Sequence, residues 1–166
     1  MPAWLFVAGY DNLKGIWLDE GRSLEGRIDL TVEDKAQPLP FLVGEGWLAA
    51  REKEGTSFRR SRGLYSTVRV PIYTPGSFRL KVRARSVLSD RDVRVRLGVN
   101  GARIGEASAG PEWGELRYEI PGSTLRAGIN TLTFTYDPTR RSLDPSHEGP
   151  NSAVAVQELR FERRSP

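Results

Sequence analysis

Two runs of strictly alternating apolar and basic residues lie in the middle of the chain, between Gly76 and Asn100. Successive side chains of a β-strand leave opposite faces of the sheet, so this alternation predicts two half-buried strands around a short turn. One face of each strand is expected to join a core, and the other face carries cations. The outward cations are Arg79, Lys81, Arg83, Arg85, Arg94 and Arg96.

The rest of the chain also has the pattern of strands separated by turn residues, and no window holds a helical stripe longer than one turn. Predicted strands cover Trp4–Ala8, Gly15–Leu18, Gly26–Val32, Phe41–Val43, Gly46–Arg51, Thr56–Arg60, Ser66–Ile72, Ser77–Ser86, Asp92–Val99, Ala102–Ala107, Glu115–Ile120, Ile129–Tyr136 and Ala153–Phe161. Many short strands with regular breakers indicate a single all-β domain over residues 1–166, folded as a jelly-roll sandwich. The predicted core residues are Phe78, Leu80, Val82, Val93, Val95, Leu97, Leu116, Tyr118, Ile120, Leu132, Phe134, Tyr136, Val154 and Val156.

Two local signals refine this prediction. Asn100-Gly101 is typical of a type I′ hairpin, because both residues tolerate positive φ angles. In the last strand, Val154 and Val156 share one parity while Leu159 and Phe161 share the other, which predicts a β-bulge near Gln157.

Composition removes several classes of function. The 166 residues include no Cys and one His, His147, so thiol chemistry is excluded and histidine chemistry depends on one loop residue. No apolar run approaches the ~20 residues of a membrane-spanning helix. The stretch Ala3–Ala8 is interpreted as a first strand and not as a signal peptide. Localisation is left open, with an extracytoplasmic site conceivable for a fragment of a larger protein. No cofactor is predicted.

Three segments between Val93 and Tyr136 carry a family resemblance: V-x-V-x-L-x-V-N-G-x-x-I-G, P-E-W-x-E-L-R-Y-E-I-P and L-R-A-G-I-N-T-L-T-F-T-Y. They resemble the galactose-binding-domain-like jelly rolls. Upstream, Gly46-Trp47 and Arg59-Arg60-Ser61 look like the G-W…R-W-S entry of such domains in bacterial surface-polysaccharide and sulfatase-type proteins, although Arg60 replaces the usual aromatic residue. The resemblance covers roughly residues 44–162. It implies a non-catalytic sugar-binding or accessory module. Some members hold a structural calcium, but no acid-rich loop assigns one here.

Two tryptophans are the first candidate ligand residues. An indole face can stack on a sugar ring, and Trp113 lies in a predicted loop before a strand. The alternative for Trp113 and for Trp47 is that each caps the sandwich core, as large aromatic residues usually do.

A basic segment is the second candidate. Arg59, Arg60 and Arg62, next to Tyr65, could bind an anionic saccharide, phosphate or sulfate through bidentate contacts. The alternative is a solvated strand end paired with nearby glutamates. Asn100 is a further candidate. For the long run of alternating cations, the alternatives are an outer face of mixed charge and an anion-binding face.

The function predicted from these residues is a non-catalytic carbohydrate-binding or accessory module whose partner is a saccharide, neutral or acidic. The alternative is a structural domain that contacts a protein partner or a neighbouring domain. Nucleic-acid binding is not expected, because the basic run has no exposed aromatic platform. Membrane insertion is not expected either. The loop Asp137–Asn151 is open to two interpretations, a ligand loop or a solvated crossover.

Overall fold

The computed structural model describes residues 26–30, 43–72, 74–88, 90–137 and 152–164. Several sequence predictions lie outside these ranges. They are the strands Trp4–Ala8 and Gly15–Leu18, most of the strand Phe41–Val43, and the long loop with His147.

The described residues form ten β-strands and one short 3₁₀ helix. The strands are β1 (Gly26–Asp29), β2 (Arg51–Lys53), β3 (Thr56–Arg60), β4 (Tyr65–Ile72), β5 (Phe78–Ser86), β6 (Val93–Val99), β7 (Ala102–Ala109), β8 (Gly114–Ile120), β9 (Gly128–Asp137) and β10 (Val154–Arg163), and the 3₁₀ helix is Gly122–Thr124. The prediction of an all-β chain is confirmed.

The strands pair antiparallel in two sheets. The larger sheet has the order β2-β3-β10-β5-β8, with β1 also paired to β10, and the smaller sheet has the order β4-β9-β6-β7. On one side of β10, β3 pairs with Ala155 and Val156 and β1 pairs with residues 158–161. The C-terminal strand is therefore central to the larger sheet, a pairing that brings together distant parts of the chain.

The prediction that the two basic strands are neighbours around a short turn is wrong. β5 belongs to the larger sheet and β6 to the smaller one. Alternation determines which face of a strand is buried, but it does not determine the partner of that strand. The connection after Ser86 passes from one sheet to the other, so the cations of β5 and β6 lie on opposite outer faces of the sandwich.

The core lies between the inner faces of the two sheets. All fourteen residues predicted for it are buried, and they come from both sheets. Because each sheet buries its apolar face against the other, neither sheet is complete alone.

Both local predictions are confirmed. Asn100 and Gly101 have φ angles of 50° and 86° and connect β6 to β7. The register of β10 against β5 shifts between Val156 and Glu158, which leaves Gln157 as the extra residue of a bulge. A second turn of this kind was not evident from the sequence: Glu54 and Gly55 have φ angles of 54° and 74° between β2 and β3.

The outer faces carry charges of both signs, as one of the two interpretations of the basic run predicts. Arg79 Nε lies 2.7 Å from a Glu119 carboxylate oxygen, and Lys81 Nζ lies 2.5 Å from Glu162. On the other sheet, Arg96 pairs with Asp137 at 3.0 Å. Acids thus pair with four of the six cations of the run, but none of the described residues supplies an acid to Arg83 or Arg85.

Candidate ligand site at one end of the sandwich

Three connections meet at one end of the sandwich, which we call the Trp113 end. They are residues 61–64 between β3 and β4, residues 87–88 and 90–92 between β5 and β6, and residues 110–113 between β7 and β8. Backbone hydrogen bonds hold them together: Ser86 N donates to Gly110 O at 2.6 Å, Val87 N to Ala153 O at 3.0 Å, and Tyr136 N to Leu64 O at 3.1 Å. The connecting segments are therefore fixed to the ends of the strands.

Trp113 lies at the start of β8, on the outer face of the larger sheet. Gly114 pairs with Ala84, which places Trp113 beside Arg85 of β5. The Arg85 guanidinium carbon is 5.4 Å from the centre of the Trp113 ring. The centres of the Phe58 and Trp113 rings are 5.9 Å apart. Trp113 is half-buried by these contacts and is absent from the packed core of the described residues. Trp113 therefore does not cap that core, which was the alternative to a role in ligand binding.

Phe58 and Ala155 belong to the same surface feature. Both are buried, at 6% and 0% exposure, yet neither is part of the core between the sheets. Ala155 pairs with Arg85 on one side and with Arg60 on the other, so these three residues form one row across β5, β10 and β3. We call the set of Phe58, Arg60, Arg85, Trp113 and Ala155 the outer cluster.

The two arginines of the outer cluster are incompletely hydrogen-bonded. Arg60 Nε and Arg85 Nε are both buried, and neither has a hydrogen-bond partner among the described residues. Burial lowers the pKa of Arg60 below its usual value, and the nearby positive charge of Arg51 lowers that pKa further. The cluster thus combines apolar surface, an indole and cations that lack an acidic partner in the described part of the chain.

Arg59 and Trp47, both predicted as ligand residues, take structural positions. Arg59 is 5% exposed and lies on the opposite face of β3 from Arg60, where it donates hydrogen bonds to Leu30 O and Leu48 O. Trp47 packs against the core and donates from Nε1 to Thr67 O at 2.9 Å. Their role in binding stays a prediction, but the structure gives each of them a role in folding.

Tyr65 lies at the Trp113 end, on the smaller sheet. It is 46% exposed, its neighbour Leu64 is 60% exposed, and its hydroxyl donates to a Glu45 carboxylate oxygen at 3.3 Å. Tyr65 is therefore available as a second aromatic surface at this end, although it is not part of the outer cluster.

Asn100 lies at the other end of the sandwich. Its side-chain amide donates to Thr124 O and to Asn130 Oδ1, and its Oδ1 accepts a hydrogen bond from Thr131 N. These bonds connect the β6–β7 turn to β9. The structure thus separates Asn100 from Trp113 and Arg60. Trp113 contacts Arg85, and Arg60 lies in the same row across the strands as Arg85.

Sequence reasoning did not single out three residues of the cluster, Phe58, Arg85 and Ala155. Phe58 shares a parity with Arg60 in β3, which was a readable signal that both leave the sheet on one side. Arg85 is one of several cations in its run, and only its register with Trp113 and Ala155 distinguishes it. That register depends on pairing between distant strands and is not encoded locally.

The described residues contain no group of three or more His, Asp or Glu side chains placed to hold a metal ion. Within the same part of the chain, no helix is long and apolar enough to cross a membrane.

Among solved structures, the fold resembles several carbohydrate-binding modules. A CBM36-1 domain of a multidomain xylanase from the hindgut metagenome of Trinervitermes trinervoides superimposes with a TM-score of 0.54 and 12% identity over 86% of this chain and 99% of that chain. A GH26-CBM35 β-(1,4)-mannanase from Podospora anserina gives a TM-score of 0.55 and 15% identity over 87% of this chain. This match spans 29% of the mannanase chain.

A family 35 carbohydrate-binding module from an environmental isolate gives a TM-score of 0.51 and 11% identity over 81% of this chain and 90% of that chain. No family model matches the sequence. No curated protein matches it either. At these identities the likeness concerns the fold alone: the chain has a jelly-roll β-sandwich fold of the galactose-binding-domain-like type, as the matched carbohydrate-binding modules do.

Proposed function

We propose that this protein is a non-catalytic carbohydrate-binding module whose ligand site includes Trp113. The observation that carries the proposal is the position of that indole. It is held outside the core by Phe58 and Arg85, at the end of a sandwich whose fold is shared with carbohydrate-binding modules.

The chemistry of the cluster suits a sugar ring. A pyranose presents an apolar face of C–H groups, which an indole can cover, and a rim of hydroxyl groups, which need polar partners. Arg85 lies beside the Trp113 ring and holds donor groups for that rim. Arg85 lies in β5, and Trp113 directly precedes β8, whose first residue Gly114 pairs with Ala84, so little conformational entropy is lost on binding.

Calorimetry of the full chain against a panel of neutral and acidic oligosaccharides tests the proposal. We expect binding to at least one member, and we expect Trp113→Ala to weaken it at least about tenfold, as truncating a central aromatic residue does in other interfaces. The melting temperature should fall only slightly, because Trp113 lies outside the core.

Tyr65→Ala is the comparison variant, since it removes the other predicted aromatic ligand residue of this end, which is exposed but lies on the other sheet. Equal losses in the two variants would contradict a site centred on Trp113. No binding across the panel, together with a stable oligomer by light scattering, would favour the alternative of a structural or assembly domain.

A further inference from the structure

We propose that the outer cluster binds an oxyanion between Arg60 and Arg85, and that the ligand is therefore an acidic saccharide carrying a carboxylate or a sulfate group. The saccharide part of this inference rests on the proposed function. The oxyanion part rests on the arginines alone.

The outward cations of β5 differ in the partners that they contact. Arg79 and Lys81 each pair with a glutamate, and Arg83 Nε donates to Gln157 Oε1 at 2.8 Å. Arg85, the next outward residue, pairs with no acid in the described part of the chain, and its guanidinium lies over the rings of Phe58 and Trp113. Acidic partners along the strand thus end at Lys81, Arg83 keeps a neutral acceptor in Gln157, and Arg85 Nε has no acceptor among the described residues.

Two buried arginine nitrogen atoms have no hydrogen-bond acceptor among the described residues. Leaving a buried donor without an acceptor costs about 1–3 kcal/mol, and more for a charged group. The outer cluster contains two such donors, Arg60 Nε and Arg85 Nε, and these are the two buried side-chain atoms without a partner among the described residues. An oxyanion that accepts from both atoms would remove this cost.

The register of the strands places the two arginines on either side of one residue. Arg60 and Arg85 flank Ala155, on the strands to either side of β10. Neighbouring strands lie about 4.8 Å apart, so the two backbones are roughly 10 Å apart, a span that two arginine side chains can close from both sides. The residue between them is the small Ala155, which is 0% exposed because the larger side chains around it cover it, so an oxyanion would bind over this row with the two guanidinium groups turned towards it. Guanidinium groups bind carboxylate and sulfate-like groups through paired N–H donors.

The surrounding charge favours the same ligand. Arg51 pairs with Phe58 across β2 and β3, on the same face, and it is close enough to Arg60 to lower the pKa of that group. Three cations therefore share this part of the surface. An anionic group would relieve their repulsion, and Trp113 would cover the sugar ring attached to it.

Inorganic sulfate is the first probe, because it tests the oxyanion site without any sugar. Sodium sulfate is titrated into the ¹⁵N-labelled full chain at constant ionic strength, with sodium chloride as the reference salt, and the arginine side-chain Nε–H resonances are followed. We expect two of them to shift with sulfate and not with chloride. Arg60→Lys and Arg85→Lys, which keep the charge but lose the paired donors, should each remove one resonance and weaken sulfate binding roughly tenfold.

Arg69→Gln is the control for loss of charge. Arg69 is exposed on the outer face of the smaller sheet, whereas the outer cluster lies on the outer face of the larger sheet. We expect it to leave sulfate binding unchanged. Sulfate binding that is equal in the wild type and both lysine variants, or that falls equally in Arg69→Gln, would overturn the proposal. Thermal unfolding of each variant shows that the protein is folded.

The second set of probes is three polysaccharides: dextran, dextran sulfate and polygalacturonate. Preference for dextran sulfate or polygalacturonate identifies sulfate or carboxylate as the group bound, and that preference should be lost in Arg85→Lys. Equal affinity for dextran would overturn the inference and leave the proposed function intact. Binding of inorganic sulfate through Arg60 and Arg85 without binding of any saccharide would contradict the proposed function and leave the oxyanion site supported.

Discussion

At the scale of single residues, Arg59 and Arg60 show how neighbours in sequence take opposite roles. Arg59 is buried on the inner side of β3 and donates to two backbone carbonyl groups, whereas Arg60 lies on the outer side with an unpartnered Nε. Removing the first leaves buried acceptors unsatisfied. Removing the second takes away a partly desolvated charge that has no acidic partner among the described residues.

We therefore expect Arg59→Met to lower the free energy of unfolding by about 2–3 kcal/mol, because the carbonyl groups of Leu30 and Leu48 lose a charged donor. Arg60→Met should leave that free energy unchanged or raise it. Urea denaturation of the two variants measures both values, and a larger loss in Arg60→Met would contradict this assignment of roles.

The candidate site could be predicted from the sequence only in part. Trp113 and Arg60 were identifiable as an aromatic residue in a loop and a cation in a basic segment. Alternation in β3 places Arg59 and Arg60 on opposite faces of the strand. Because both residues are arginine, the sequence alone does not show which of the two faces the core. Arg85 and Ala155 became recognisable only through the pairing of β10 with β5 and β3.

At the scale of elements, the bulge in β10 reconciles two sets of core residues with one strand. Val154 and Val156 face the core before Gln157, and Leu159 and Phe161 face it after. Because Gln157 is the extra residue, deleting it should restore simple alternation without turning a core residue outward.

We expect the Gln157 deletion to fold, with a loss of about 1–3 kcal/mol. Two hydrogen bonds account for that loss: Leu30 N donates to Gln157 O at 3.2 Å, and Arg83 Nε donates to its side chain at 2.8 Å. Deleting Arg83 from the facing, regular strand is the control. It would break the alternation of β5 and should abolish cooperative thermal unfolding, so similar behaviour of the two deletions would refute this account of the bulge.

Charge pairs between elements predict a response to acid. The hydrogen bond from Arg79 is the main cause that lowers the pKa of Glu119 below its ordinary value of 4.5, and Arg164 adds to the effect. A lowered pKa in the folded state means that this carboxylate contributes stability above about pH 4.5, which is lost as the pH falls through the lowered value. The contribution is small, because the side chain is half exposed.

Glu119→Gln should therefore lower the melting temperature slightly at pH 7 and make its decline below pH 4.5 shallower than in the wild type. Melting curves recorded between pH 3 and 7 by circular dichroism provide the measurement. A parallel decline in the two proteins would mean that the Glu119 pairs with Arg79 and Arg164 contribute nothing to stability.

Most strands were predictable within a few residues, because their alternation is a local property of the sequence. Their partners were not. The two most regular strands, β5 and β6, were expected to be neighbours but lie in different sheets. Strand order in a sandwich depends on where the apolar faces of all strands can be buried together, and this is a property of the whole chain.

At the scale of the whole molecule, one core holds two sheets together. The buried residues between them come from β4, β6 and β9 on one side and from β5, β8 and β10 on the other, together with Leu30, Ala109, Leu125 and Ala153. Pairing of β10 with β1, β3 and β5 joins residues that are far apart in sequence. Among the described residues, the apolar inner face of each sheet is covered by the other sheet, so we expect the two to unfold together.

Leu97→Ala in the smaller sheet tests this coupling. Leu97 is 1% exposed in the core, so the substitution should cost about 2–5 kcal/mol. Far-UV circular dichroism reports on the β-strands of both sheets, and the side-chain resonances of Arg85 and Trp113 report on the larger sheet. All should show the same lowered transition midpoint. A larger-sheet signal that keeps its wild-type midpoint while the other falls would mean that the larger sheet is stable without its partner, and that the outer cluster is built on an independently folded unit.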